Sequence, residues 1–140
     1  MNTPQPPVQQ NVTDSPGRFS LPWVNYFSSL AKFLAKPTVY DATLAAGWSA
    51  HGAPFGPAQY FIDNSNVVHL TGLVKKSSAV VAWESILTLP AGFRPGTQLV
   101  FPTENSGAYC RIDVTQDGAV LIFGGANGYI SLNSISFMAA

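Results

Sequence analysis

Six clusters of turn-forming residues divide the C-terminal part of the chain, and the spacing between them admits only short strands. They are Asn64-Ser65-Asn66, Pro90-Ala91-Gly92, Arg94-Pro95-Gly96, Asn105-Ser106-Gly107, Gln116-Asp117-Gly118 and Asn127-Gly128, each carrying the glycine, proline or asparagine that tight turns favour. From Ala58 onward, apolar and polar residues alternate between these clusters, which is the period of a strand with one buried face. Strands are therefore expected at 59–63, 67–75, 80–89, 97–102, 109–115, 119–123 and 129–137. Short strands with frequent turns close into a sandwich or small barrel. The expected fold class is thus mainly β, with an antiparallel β-sandwich or jelly-roll-like head at residues 58–140. Val68, Leu70 and Val74 are predicted to face inward from one strand, and Cys110, Ile112 and Val114 from another. In the last strand Ile130 and Leu132 have one parity and Ile135 and Phe137 the other, so a bulge near Asn133-Ser134 is expected to restore a single inward face.

One stretch has a different period. Over residues 21–36, Trp23, Phe27, Leu30 and Leu34 fall four, three and four apart and share one face of a helix, with Tyr26 and Phe33 widening the stripe. Ser20 or Leu21 caps this helix, Pro22 suits its first turn, and Pro37 ends it at Lys36. Such a stripe needs a partner. Two heptads are too few for an independent coiled coil, so the partner is either the chain's own β domain or sister helices. The aromatic content of the seam favours a short bundling helix in parallel self-association.

Residues 1–20 contain Pro4, Pro6, Pro7 and Pro16, with only Val8, Val12 and Phe19 as large apolar residues. Alone, this stretch buries too little to offset the entropy of ordering it. An extended proline-rich peptide gains order cheaply on another protein's surface, so Pro4, Pro6, Pro7, Val8 and Val12 form the candidate anchor. Residues 37–57, rich in Gly, Ala and Pro, read as a linker.

Only 10% of the residues are charged while 46% are hydrophobic, against a usual quarter charged. Either other subunits cover part of the surface or a neutral Ser/Asn/Thr/Gly surface replaces the charges. Seven basic residues balance seven acidic ones, so no net field draws nucleic acid or an anionic membrane. Lys75-Lys76, followed by Ser77-Ser78, reads as a solvated turn. No signal peptide pattern and no membrane-length apolar run is present, so the product is expected to stay in the compartment where it is made, without membrane insertion.

Catalytic chemistry finds little support. His51 and His69 have no Cys, Asp or Glu at ligand spacing, so no metal site is expected, and His69 is predicted to face solvent or a neighbouring subunit. Cys110 shares a face with Ile112 and Val114 and reads as a small core residue. The acids Asp41, Asp63, Glu84, Glu104, Asp113 and Asp117 are scattered singly. Phosphate-cradling and nucleophile-elbow motifs are absent, and Gly124-Gly125-Ala126-Asn127-Gly128 reads as a hairpin loop. Neither an enzyme nor a cofactor is expected. Exposed aromatics can stack on sugar rings. Trp48 and Phe55 are the candidate ligand-binding aromatics, with Tyr129 also near a strand end and Trp83 read as core or subunit-interface packing.

Several runs resemble a known group. Gly47-Trp48, the stretches 59–63 and 67–74, the run Leu89-Pro90-Ala91-Gly92-Phe93-Arg94-Pro95, Cys110 to Val114 with Asp117-Gly118, and the closing run 129–137 are similar to the β head domains at the ends of tailed-phage fibre and tail proteins. The front end, a Pro/Gln arm followed by Ser20-Leu21-Pro22-Trp23 and an aromatic helix, is similar to small podophage fibre proteins. The resemblance implies a trimeric virion fibre. Its N-terminus would dock on phage capsid, portal, adaptor or tail proteins at the head or head-to-tail junction, with Trp23, Phe27, Leu30 and Leu34 at the homotrimer seam. It supplies no catalytic residues. The alternative is a host-surface carbohydrate-binding module of the phage tail, with a glycan as partner.

Overall fold

The computed structural model describes residues 3–125 and 128–140. The expected Asn127-Gly128 turn lies outside the described residues at Asn127. Contacts divide the chain into two compact units, Met1–Pro37 and Thr38–Ala140.

In the first unit a hairpin of β1 (Thr13–Ser15) and β2 (Arg18–Phe19) leads into α1 (Leu21–Phe33). The helix ends three residues earlier than Pro37 alone suggests, because Leu34 already serves as its C-cap. Ser20 is the N-cap in backbone geometry, but its hydroxyl donates to the Asn11 carbonyl and makes no cap bond. The segment expected as an extended anchoring arm folds back on the helix over its second half. Ser20 N–H donates to Val12 O at 2.9 Å and Trp23 Nε1 to Gln10 O at 3.3 Å. Phe19 meets Phe27 edge-on at 5.3 Å. Local hydrogen bonds supply part of the order that its composition could not.

The second unit begins earlier than expected. Residues 38–57 are not a linker, since they contribute β3 (Tyr40–Asp41) and β4 (Trp48–Ala50). There follow β5 (Gln59–Ile62), β6 (Val67–Thr71), β7 (Leu73–Lys76), β8 (Val80–Thr88), β9 (Leu99–Asn105), β10 (Ala108–Val114), β11 (Ala119–Gly125), β12 (Tyr129–Ser131) and β13 (Ser136–Met138). All pairings are antiparallel. One sheet has seven strands in the order β4-β7-β12-β9-β10-β11-β8 and the other has four, β13-β6-β5-β3. This is a mainly β, sandwich-like head.

Two of the expected long strands each divide between the sheets. Gly72 separates β6 from β7, and residues 132–135 separate β12 from β13. The two corners are tied together: Gly72 N–H donates to Asn133 Oδ1 at 2.7 Å and its carbonyl accepts from Leu132 N–H at 3.0 Å. A corner rather than a bulge thus turns Ile130, Leu132, Ile135 and Phe137 all inward. Gly72 has φ +106, and an added Cβ would sit 2.3 Å from the Pro57 carbonyl oxygen.

The core lies between the sheets. Val68, Val74, Ile86, Ile112, Val114, Val120, Ile122, Ile130 and Leu132 are fully buried, each worth about 1.5–3 kcal/mol of apolar transfer. The larger sheet curls: β7 and β8 stand second and seventh in it, yet Lys76 on β7 forms an ion pair with Glu84 on β8. This corrects the reading of Lys75-Lys76 as a solvated turn. Both belong to β7, and the bend starts at Ser77. Register shifts between β11 and β8 leave Trp83 as the extra residue of a bulge at φ +64, the left-handed conformation that one bulge class uses.

Candidate functional site

The corner at Gly72 forms one wall of a cleft of about 460 Å³, within the range of small-ligand sites. Its floor comes from β12. Ile130 points into the core, so alternation turns Tyr129 and Ser131 to the outer face of the larger sheet. Phe55 comes from the loop between β4 and β5, Thr71 and Leu73 flank the corner, and Glu104 comes from β9.

Two rings, Phe55 and Tyr129, line this cleft, and a third packs against both. His51 stands edge-on to Phe55 at 4.8 Å and to Tyr129 at 4.4 Å, and its backbone N–H donates to Leu73 O at 2.8 Å. The imidazole holds the two rings in place, leaving Phe55 50% and Tyr129 47% exposed. Polar groups surround them. Gln59 is oriented by a 2.8 Å bond from its Nε2 to Asp41 Oδ1, and Tyr129 N–H donates to Ser106 Oγ at 3.0 Å. Half-exposed rings beside a carboxylate, an amide and hydroxyls suit a ligand with an apolar CH face and a hydroxyl rim. A sugar ring has both.

Of the two aromatics predicted for ligand binding, Phe55 lines the cleft and Trp48 does not. Trp48 is 7% exposed. Pairing with β7 places it opposite Lys76, on the face that carries buried Val74, and Lys76 Nζ lies 6.0 Å from its ring. Trp83, by contrast, is not a core residue. It stands 47% exposed, edge-on to Phe123 at 4.8 Å, with the Arg111 guanidinium 5.5 Å from both rings. Behind it Asp113 is fully covered, accepting from Arg111 Nε at 2.6 Å and Nη2 at 2.9 Å and from Gln98 Nε2 at 2.7 Å. The guanidinium, helped by the Gln98 amide, holds the Asp113 carboxyl below its ordinary value.

On α1 the less exposed residues are Trp23, Tyr26, Leu30 and Phe33, whereas Phe27 is 42% and Leu34 69% exposed, and no residue of the helix is buried. Among the proposed anchor residues Val8 is 86% and Val12 47% exposed. Pro6 is exposed, and Pro4 and Pro7 line a shallow depression with Pro22, Tyr26 and Ser29.

One polar constellation escaped the sequence. His69 Nδ1 lies 2.9 Å from Ser136 Oγ and its Nε2 3.0 Å from Asp63 Oδ2, with Phe61 stacked on the ring at 4.9 Å. The β5–β6 register, Phe61 opposite His69, puts Asp63 diagonally beside it. His69 and the backbone N–H groups of Val67 and Ser65 hold the Asp63 carboxyl below its usual range. The ring nitrogens are used in the opposite sense to a hydrolytic triad, in which Nε2 serves the serine and Nδ1 the aspartate. Burial pushes the Cys110 thiol up, away from a reactive thiolate. Among the described residues no group of three or more His, Cys, Asp or Glu converges to hold a metal ion.

No family model and no curated protein matches the chain. Among solved structures, the crystal structure of the receptor binding protein (gp15) of Listeria phage PSA is similar, with a TM-score of 0.64 over 84% of this chain and 73% of that one. Sequence identity is 16%, so the likeness is one of fold.

Proposed function

We propose that this chain is a host-attachment protein of a phage tail, whose β head binds a sugar of the host surface in the cleft between Phe55 and Tyr129. The observation that carries the reading is the pair of half-exposed rings fixed by His51 at the mouth of a polar cleft. The shared fold with a protein described as receptor binding supports it.

In the finer form of this reading the protein is a virion component, a short trimeric fibre. The first unit joins it to capsid, portal, adaptor or tail proteins, and the seam of Trp23, Phe27, Leu30 and Leu34 meets sister helices. An amphipathic helix with no buried residue supports that arrangement, as does the exposure of Val8, Leu21 and Leu34. The reading includes no catalytic step.

The test is competition. Purified protein at saturating concentration is expected to slow adsorption of the parent phage to its host, and the Tyr129→Ala variant is expected to lose that effect. Adsorption at an unchanged rate in the presence of the wild-type protein refutes the attachment role.

A further inference from the structure

The cleft continues past Tyr129. A second depression, of about 350 Å³, shares Ser106 and Tyr129 with the first and is otherwise bounded by residues including Ser49, Lys75 and Ser77. Strand register explains the continuity. Ser49 on β4 pairs with Lys75 on β7, and Lys75 pairs with Tyr129 on β12, so the three form one row across neighbouring strands. Directly opposed residues of this kind have Cβ atoms about 5 Å apart.

The two halves of the groove differ in charge. Lys76, one residue on, is consumed by its ion pair with Glu84. Among the described residues the ion pairs are His69 with Asp63, Lys76 with Glu84 and Arg111 with Asp113. Lys75 belongs to none of them, and its Nζ donates to the His51 carbonyl at 3.3 Å. On the other side of Tyr129 the first half carries the Glu104 carboxylate. An anion is thus disfavoured in the half that carries Glu104 and favoured beside Lys75, which gives the groove a direction.

We infer that the groove takes an acidic oligosaccharide: a neutral sugar ring stacks at Phe55 and Tyr129, and the adjoining unit presents a carboxylate or phosphate to Lys75. This rests on the glycan-binding reading above and specifies its ligand class.

The test is binding of the full chain to a panel of immobilised neutral oligosaccharides, each paired with a uronate-bearing and a phosphate-bearing counterpart on the same backbone. At low salt at least one acidic class is expected to bind about tenfold more tightly than its neutral partner, as one partly screened charge pair would give, and added salt should narrow the gap. Lys75→Gln should bring acidic and neutral ligands level, Lys75→Arg should keep the preference, and Tyr129→Ala should abolish binding of both. The uronate and phosphate arms identify which anion is read. Equal wild-type affinity for acidic and neutral ligands, or a preference surviving in Lys75→Gln, overturns the anionic subsite and leaves the sugar cleft standing. Binding to no member of the panel overturns both.

Discussion

Gly72→Ala tests the corner on which the head and its cleft both depend. The backbone there has φ +106, a region whose occupation by an L side chain costs about 1–3 kcal/mol. The new Cβ would also sit 2.3 Å from the carbonyl oxygen of Pro57, 2.7 Å from its carbon and 2.9 Å from Ala58 Cα. All three are backbone atoms, so relief requires shifting the strand entry rather than a rotamer. Overpacking of this kind costs a further 1–3 kcal/mol or so, for a total of roughly 4 kcal/mol. At about 4 °C per kcal/mol for a unit the size of Thr38–Ala140, the midpoint should fall by roughly 15 °C. Gly92→Ala supplies the comparison, because Gly92 has φ +87 but nothing within 4 Å of the point its new methyl would occupy. It therefore isolates the conformational cost, about 1–2 kcal/mol. Urea unfolding of both variants gives the difference directly. If Gly72→Ala unfolds within 1 kcal/mol or so of Gly92→Ala, the close approach to Pro57 is not what demands glycine.

Two other substitutions probe separate parts of the chain. Asp113→Asn should destabilise the head by about 1.5–3 kcal/mol, since it weakens a covered, charge-assisted network. Because the folded carboxyl titrates below its unfolded value, its stabilisation is complete above pH ~4 and is lost as pH falls through the lower folded value. The variant should lack that component of acid destabilisation, and parallel wild-type and variant stability profiles below pH ~4 would contradict the assignment. Phe27→Asp places a charge on the exposed helix seam and should lower the sedimentation mass of the assembly. An unchanged mass would remove the seam from the subunit interface.

How much of this was legible depends on the range of the interaction. The alternation in 110–114 and the turns at Pro90-Ala91-Gly92 and Gln116-Asp117-Gly118 act locally, and Cys110, Ile112 and Val114 are buried as their parity implies. Trp48 reads as a loop aromatic because its surroundings are rich in Gly, Ala and Pro, yet it is buried. Its burial follows from pairing with Lys76, twenty-eight residues away. His69 has no acid at ligand spacing along the chain, yet Asp63 reaches it across a hairpin and Ser136 across a strand pair.

By itself, then, the sequence determined the antiparallel β character of the head, most of its strands and the one amphipathic helix, because periodicity and turn chemistry are properties of a few neighbouring residues. Only the tertiary structure decided where long strands change sheets and which polar groups meet. Gly72 and Asn133 make a corner together, and Phe55, Tyr129, Glu104 and Lys75 border one groove although they come from four different parts of the chain. That convergence is set by strand register across the sheet, a long-range quantity that no local window of residues encodes.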